Sequence, residues 1–173
     1  MSHVTRYSVM PLPAVAEHEE RFEAGPIQIG VEYRLLNDAI VAAAEFEAAS
    51  GDTRGETTGL DDRGVALHIY ANQDGEEREF LRFDCFQEDP HYHYVSWRDK
   101  ANDMIHLDPV ADGDALTWAL DRIRTRLPQM LIRAGASDVA AVLDPGALEA
   151  ALPRVTRAAF KARYAHDEEE EGA

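Results

Sequence analysis

Cysteine is almost missing from this chain, and so is any long apolar run. A single cysteine, Cys85, among 173 residues excludes an internal disulfide and is compatible with a reducing compartment. No stretch approaches the ~20 apolar residues of a membrane-spanning helix, and the N-terminus MSHVTRYSVMPLP lacks the apolar core of a signal peptide. These absences predict a cytoplasmic protein that has no membrane partner.

Basic residues are also scarce, since 17 Lys and Arg oppose 33 Asp and Glu and the formal net charge is −16. This charge argues against nucleic acid as a partner. The basic residues are concentrated in 115–165, which hold eight of them and four acidic residues, whereas the C-terminal HDEEEEGA holds five acidic residues. We expect residues 166–173 to be a disordered acidic tail, or a tail that docks on a basic surface of its own chain or a partner.

Known catalytic motifs are missing as well. The chain has no G-x-S-x-G, no phosphate-binding glycine loop, no C-x-x-C pair and no H-E-x-x-H. Whether the protein is an enzyme therefore depends on clusters formed in the fold.

Residue periodicity predicts an α+β fold, a small antiparallel β-meander of about four strands with helices packed on one face. The four extended runs are VALHIYA (65–71), EFLRFDCF (79–86), HYHYVSW (91–97) and MIHLD (104–108). Residues 26–36 fit either a fifth strand or the start of a helix that continues over about 37–49. We expect an irregular arm over 1–25 and a single domain over 26–165.

Helical patterns follow the sheet. Residues after Asp112 or Asp114 predict a long helix with an apolar stripe, a kink or break at Pro128 and an end at Gly135. A last helix is predicted from Asp144 to about Tyr164.

Strand alternation predicts which side chains share a face of the meander. A three-residue loop at 73–75 pairs His68 with Phe80, and a turn over 87–90 pairs Asp84 with His93. The expected helix-covered face is almost wholly apolar and includes Cys85 and the tyrosines of HYHY. The opposite face is expected to carry His68, Arg82, Asp84, His91, His93, His106 and Asp108. Four of the seven histidines therefore gather on one side of the sheet.

This polar face suggests a metal or acid–base site. Two imidazoles of a His-x-His strand project the same way and suit one metal ion, with a neighbouring carboxylate or histidine completing the ligands. The candidate ligands for Zn, Fe, Mn or Ni are His91, His93, His106 and Asp84. As a catalytic set without metal, Asp84 would orient His93 and Arg82 would hold an anionic group of a small ligand.

The same pattern also fits a protein without chemistry, in which the histidine and aspartate form only a cross-strand hydrogen bond. The polar face would then bind a partner subunit or a second copy of the chain. The candidate apolar anchors of that interface are Phe80, Phe86, Trp97 and Met104.

One stripe of the long helix holds Arg122, Arg126 and Arg133. In so acidic a chain these arginines pair with its own carboxylates, or they form a basic groove for a carboxylate, a phosphate or an acidic partner.

Overall fold

A computed structural model describes residues 4–37 and 61–172 of the chain, with the backbone alone for 168–171. Seven strands form one antiparallel sheet in the order β1-β7-β6-β5-β4-β3-β2. They are β1 Val4–Tyr7, β2 Glu19–Ala24, β3 Ile27–Leu35, β4 Arg63–Gln73, β5 Glu76–Phe86, β6 His91–Ser96 and β7 Ala101–His106. The helices are α1 Pro109–Asp112, α2 Ala115–Arg133, α3 Ser137–Ala141 and α4 Pro145–Glu171.

The α+β class and the antiparallel sheet are confirmed, but the predicted strand count is wrong. Residues 1–25, expected to be an irregular arm, contain β1 and β2, and residues 27–35 form β3 rather than helix. β1 and β2 were missed because their alternation is weak: both are edge strands, and most of their side chains are at least partly exposed. The predicted helix over 37–49 falls outside the described residues.

The two hairpins at the centre of the sheet keep the predicted face but not the predicted pairing. The turn between β4 and β5 has only two residues, Asp74 and Gly75, both at positive φ. A register shift between Ile69 and Tyr70 then places Arg82 opposite His68. In the next hairpin Asp84 pairs with His91, not with His93. Both corrections amount to two residues, so His68, Arg82, Asp84 and His91 stay on their expected face. Nearer the turn the bulge reverses the faces: Glu79 joins the polar face, and Phe80, expected there, lies in the helix-side core.

The connection between the last paired residues of the second hairpin, Asp84 and His91, is longer than predicted, because hydrogen bonds join this loop to the start of β4. The Asp62 carboxylate accepts hydrogen bonds from the backbone N–H groups of Glu88 (3.1 Å) and Asp89 (2.9 Å). The N–H of Gln87 donates to the carbonyl of Arg63 at 2.9 Å. These bonds hold the loop open and bring Asp89 to the edge of the polar face.

The helices cover the apolar face. α2 contacts β5, and α4 contacts β2, β3 and β4. The apolar stripe of α2 is buried, and the helix runs unbroken through Pro128 to Arg133, so the predicted break is absent. Asp114 caps α2 through the N–H of Thr117, and Asp144 accepts from the N–H of Ala147 near the start of α4. None of the described helices is long and apolar enough to cross a membrane.

The connection from β1 to β2 crosses the other face of the sheet. β1 lies at one edge and β2 at the opposite edge, so residues 8–18 have to span the sheet between them. The carbonyls of Leu12 and Pro13 accept from the Arg34 guanidinium at 3.0 and 3.2 Å, and the carbonyl of Val9 accepts from Asn102 at 2.8 Å. This crossing segment, residues 8–18, covers the polar face within the chain itself.

Candidate metal centre

The strand register brings the predicted histidines together on the covered face. Arg82 lies opposite both His68 and His93, and Asp84 pairs with His91, which in turn pairs with His106. Asp108 does not join them, because β7 ends at His106 and Asp108 caps α1 instead. The face is polar yet buried: His68, Arg82, Asp84 and His93 are 0, 2, 3 and 8% exposed.

Half of this face is a ladder of ion pairs centred on His68. Its Nδ1 lies 2.8 Å from a Glu79 oxygen and its Nε2 lies 2.9 Å from a Glu32 oxygen. Glu79 is also held by Arg82, at 2.7 and 2.8 Å, and Glu32 by Arg34 at 3.3 Å. Because carboxylates only accept hydrogen bonds, His68 has to be doubly protonated and positively charged.

The ion pairs of this ladder determine the direction in which the pKa values of His68 and Glu79 shift. Burial alone would lower the pKa of His68, but the two carboxylates outweigh it and raise that pKa above its ordinary value. Burial alone would raise the pKa of Glu79, and the neighbouring Arg82 and His68 instead lower it well below its usual range. The pairing therefore favours the charged forms of His68 and Glu79, and the ladder occupies the middle of the polar face.

Sequence reasoning missed several members of this face. Glu32 and Arg34 belong to β3, whose strand character was left open, and Glu79 and Asn102 were not considered. The signal was present in β3, where charged residues alternate with Val31 and Tyr33.

The other half of the face is a cluster of two histidines and one carboxylate. The Nε2 atoms of His91 and His93 each lie 3.1 Å from the same oxygen, Oδ2 of Asp84. The two imidazole centroids are 4.9 Å apart with the rings nearly perpendicular, at 81°. One ligand atom from each of the three residues lies within 4.8 Å of the other two.

The outer nitrogen of each ring determines what the inner nitrogen can do. Nδ1 of His91 lies 2.7 Å from the carbonyl oxygen of Asp89, and Nδ1 of His93 lies 2.9 Å from Oδ1 of Asn102. Asn102 is oriented by its own amide, which donates to Val9, so its oxygen faces the ring. Both Nδ1 atoms are therefore donors, and in the neutral imidazole each Nε2 is left with a lone pair.

Two lone pairs thus point at one carboxylate oxygen, an arrangement that requires a positive charge between them. Either both imidazoles carry a second proton, or a cation lies among the three atoms. Burial alone would raise the pKa of Asp84, but the hydrogen bonds from His91 and His93 hold it well below its ordinary value. Its second oxygen, Oδ1, is buried and has no hydrogen-bond partner in the described part of the chain.

A second, more exposed group adjoins this cluster. Nδ1 of His106 lies 2.7 Å from the Asp89 carboxylate, and the His91 and His106 rings are 5.9 Å apart. Asp89, His91 and His106 also place ligand atoms within 4.8 Å of one another. The side chain of His106 is 41% exposed, so this group forms the outer side of the cluster.

The remaining predicted residues lie elsewhere. Arg82 is turned toward Glu79, not toward the histidines. Phe80 and Phe86 are buried, at 1 and 5% exposed, while Trp97 and Met104 are half-buried. Cys85 packs against the helix-side core, and burial raises the pKa of its thiol.

Residues 21–159 match a family model described as Domain of unknown function (DUF7700). The matched range contains the His68 ladder and the cluster of Asp84, His91 and His93. No curated protein and no solved structure matches the chain. The description of the family assigns no activity, so the function has to be inferred from the residues of the site.

Proposed function

The chain belongs to the DUF7700 family, a domain of unknown function, and we propose that it binds one divalent transition-metal ion through Asp84, His91 and His93. The observation that carries this proposal is the orientation of the two imidazoles. Each Nδ1 is bound to an oxygen acceptor, and each Nε2 is aimed at the same buried carboxylate oxygen. Metal-binding histidines are held in this way, with the outer nitrogen donating to an oxygen and the inner one facing the ion.

The spacing of the donor atoms supports an ion of ordinary size. Ligands at 2.0–2.2 Å from a tetrahedral metal ion lie roughly 3.3 Å from one another. Both Nε2–Oδ2 separations are 3.1 Å, so small side-chain movements suffice to admit the ion. The orphaned Oδ1 of Asp84 offers a further contact for it.

The donor set selects the metal and its chemistry. Two imidazoles and one carboxylate suit Zn, Fe, Mn or Ni better than Ca or Mg, which prefer oxygen ligands alone. Three protein ligands leave at least one coordination position for water or substrate, the pattern of catalytic rather than structural sites. We therefore propose a small metal-dependent enzyme in which Asp84, His91 and His93 would hold the ion, which would supply a Lewis acid able to lower the pKa of a water. Asp89 and His106 form the exposed side of this cluster, from which a substrate would approach.

The alternative hypothesis, a partner bound to this same face, has less support. Two of its expected anchors, Phe80 and Phe86, are buried inside the chain. The crossing segment also lies over the face and satisfies Arg34 and Asn102. A partner would have to displace it first.

Metal analysis of the untagged protein tests the proposal. We expect one equivalent of Zn, Fe, Mn or Ni per chain, or tight uptake when the protein stripped with a chelator is titrated. The double variant His91→Gln/His93→Gln removes two of the three ligands and should lose this binding, whereas His18→Gln, in the turn before β2, should retain it. Equal binding by the double variant and the wild type would refute the site, and His106→Gln shows whether that residue adds a fourth ligand.

A further inference from the structure

We propose that a groove lined by arginine and aromatic residues on the opposite side of the protein binds the acidic C-terminal segment of a second copy of this chain. The groove has a volume of about 480 Å³ and lies between α2 and the tyrosines of β6. Its lining, here called the arginine groove, consists of Tyr92, Tyr94, Trp118, Arg122, Arg126, Gln129, Met130 and Arg133. This inference is independent of the metal site.

The cationic wall of the groove is one face of α2. Arg122, Arg126, Gln129 and Arg133 are spaced by four, three and four residues, so they lie above one another on the helix surface. At a rise of 1.5 Å per residue this row is about 16 Å long. It offers a linear series of hydrogen-bond donors, which suits an extended or helical run of carboxylates rather than one compact anion.

Two of the guanidinium groups are stacked on the aromatic floor. Arg133 lies 4.1 Å above the ring of Tyr94, and Arg122 lies 5.2 Å above the ring of Trp118. Tyr92 joins these two aromatic residues, with ring centroids 5.7 Å from Tyr94 and 5.1 Å from Trp118. Stacking orients a guanidinium while its edge N–H groups stay available, and these are the groups that bind a carboxylate in bidentate fashion.

Two of the three groove arginines, Arg126 and Arg133, differ from the buried arginines of the sheet in their ion pairing. Arg34 and Arg82 are each paired with a glutamate. Within the described residues, by contrast, neither Arg126 nor Arg133 forms an ion pair, and Arg122 shares Asp121 with Arg124 at 3.4 and 3.0 Å. In a chain of net charge −16, two arginines without an ion pair beside a third that shares its carboxylate are complementary to an acidic partner.

The chain itself contains such a partner in the run Asp167–Glu171, which is DEEEE. Asp167 and Glu171 are four residues apart, as are Arg122 and Arg126, so the two series have matching spacing along a helix. A chain's own tail does not lie in this groove, because α4 packs against β2, β3 and β4, and His166 stacks on Tyr33 of β3 at 3.7 Å. The groove is over β6, so the tail that fills it comes from another copy.

Sedimentation of the full-length protein tests this inference. We expect reversible association at 20 mM NaCl that weakens at least tenfold at 300 mM NaCl, because the contact is between exposed charges. The variant Arg126→Glu/Arg133→Glu should weaken association at least tenfold. The matched control Arg124→Glu, on the same helix but outside the groove, should change it less than threefold.

A complementation experiment distinguishes tail binding from other contacts. A second variant replaces Asp167 by Asn and the four following glutamates by Gln, which neutralises the tail and leaves the groove intact. Neither variant should associate alone, but mixing them should restore a complex, since the first supplies the tail and the second supplies the groove. A wild-type protein that stays monomeric at low salt would overturn the inference, and so would association that survives in both variants or fails to return in the mixture.

Discussion

His91 and His93 differ from His68 in what their two ring nitrogens face. Both nitrogens of His68 contact carboxylates, so this ring is a cation that joins Glu32 to Glu79. The outer nitrogens of His91 and His93 contact a carbonyl and an amide oxygen instead, which bear no full charge. Histidines on one face therefore differ in their surroundings: His68 joins two carboxylates in the ladder, whereas His91 and His93 share the single carboxylate of Asp84 through Nε2.

The charge on His68 predicts a pH dependence of stability. Its pKa is higher in the folded chain than the ordinary value of about 6.5, so its contribution is complete below that pH and is lost as the pH rises through the folded pKa. We expect the free energy of unfolding, measured by urea titration with a chelator present, to fall above pH about 6.5. In His68→Gln this component of the fall should be missing.

The same substitution, His68→Gln, should also lower the free energy of unfolding at a pH where His68 is protonated. At pH 6, His68→Gln leaves two buried carboxylates without their shared cation and should cost about 3–5 kcal/mol. Glu32→Gln removes one of the two carboxylates and should reduce the pH-dependent fall without abolishing it. A His68→Gln protein with the wild-type pH dependence would show that His68 is neutral in the fold.

Asn102 is predicted to position His93 for the metal. Its amide oxygen accepts from Nδ1 of the ring, which leaves Nε2 as the ligand atom. Asn102→Leu keeps a similar volume but removes that acceptor, so we expect metal affinity to fall about 10–100-fold while Asp84, His91 and His93 are all still present. Competition with a chromogenic chelator measures this; unchanged affinity would mean that Asn102 does not orient the ring.

At the scale of elements, strand alternation was enough to assemble the site. The alternation of HYHY and of the preceding FDCF assigns the histidines and Asp84 to the face opposite the helices, and a register error of two residues does not change a face. What alternation could not give was the pairing partner. That depends on turn geometry: Asp74 and Gly75 adopt positive φ, and Asp62, distant in sequence, holds the other loop open.

The sequence did not predict that the crossing segment covers the polar face, because this too depends on contacts between residues distant in the chain. Its contribution comes from backbone groups, which every residue has, so SVMPLPAVAEH contains no side-chain pattern that identifies the cover of a polar face. Its contacts with Arg34 and Asn102 appear only once β1 and β2 are placed at opposite edges.

Removing the crossing segment should therefore destabilise the protein. Deletion of residues 1–14 removes β1 and most of the crossing segment, including the acceptors of two Arg34 donors and one Asn102 donor, and each buried donor that loses its partner costs about 1–3 kcal/mol. We expect the free energy of unfolding to fall by at least about 3 kcal/mol. Val9→Ala keeps the backbone carbonyl and should cost less than about 0.5 kcal/mol, so a similar loss in both proteins would contradict this assignment.

α2 offers a stabilising substitution at Pro128. This residue is exposed inside an unbroken helix and cannot donate the backbone hydrogen bond of its position. Pro128→Ala should raise the free energy of unfolding by about 1–3 kcal/mol. Gly135→Ala, at a positive φ of 84° just beyond the helix, should instead lower it by about 1 kcal/mol. Chemical denaturation of both variants checks the signs, and a destabilising Pro128→Ala would show that the helix depends on the proline.

For the whole molecule, residue periodicity predicted the class of fold, but composition did not predict the burial of its charges. An acidic chain is expected to expose its charged residues, yet Glu32, Arg34, His68, Arg82 and Asp84 are all at most 3% exposed. Together with Glu79, this set holds three acidic and three basic groups once His68 is protonated, which is why the face can be buried at all. The proposed ligands His91 and His93 lie beside this set, with Nε2 of each ring 3.1 Å from Asp84.

The most direct test of the metal site is the anomalous scattering of a crystal grown from protein loaded with Zn²⁺ and measured at the zinc edge. We expect one strong peak at about 2.0–2.2 Å from an oxygen of Asp84 and from Nε2 of both His91 and His93. A loaded crystal with no peak among these three residues, and with both imidazoles still bound directly to the Asp84 oxygen, would contradict the proposed site.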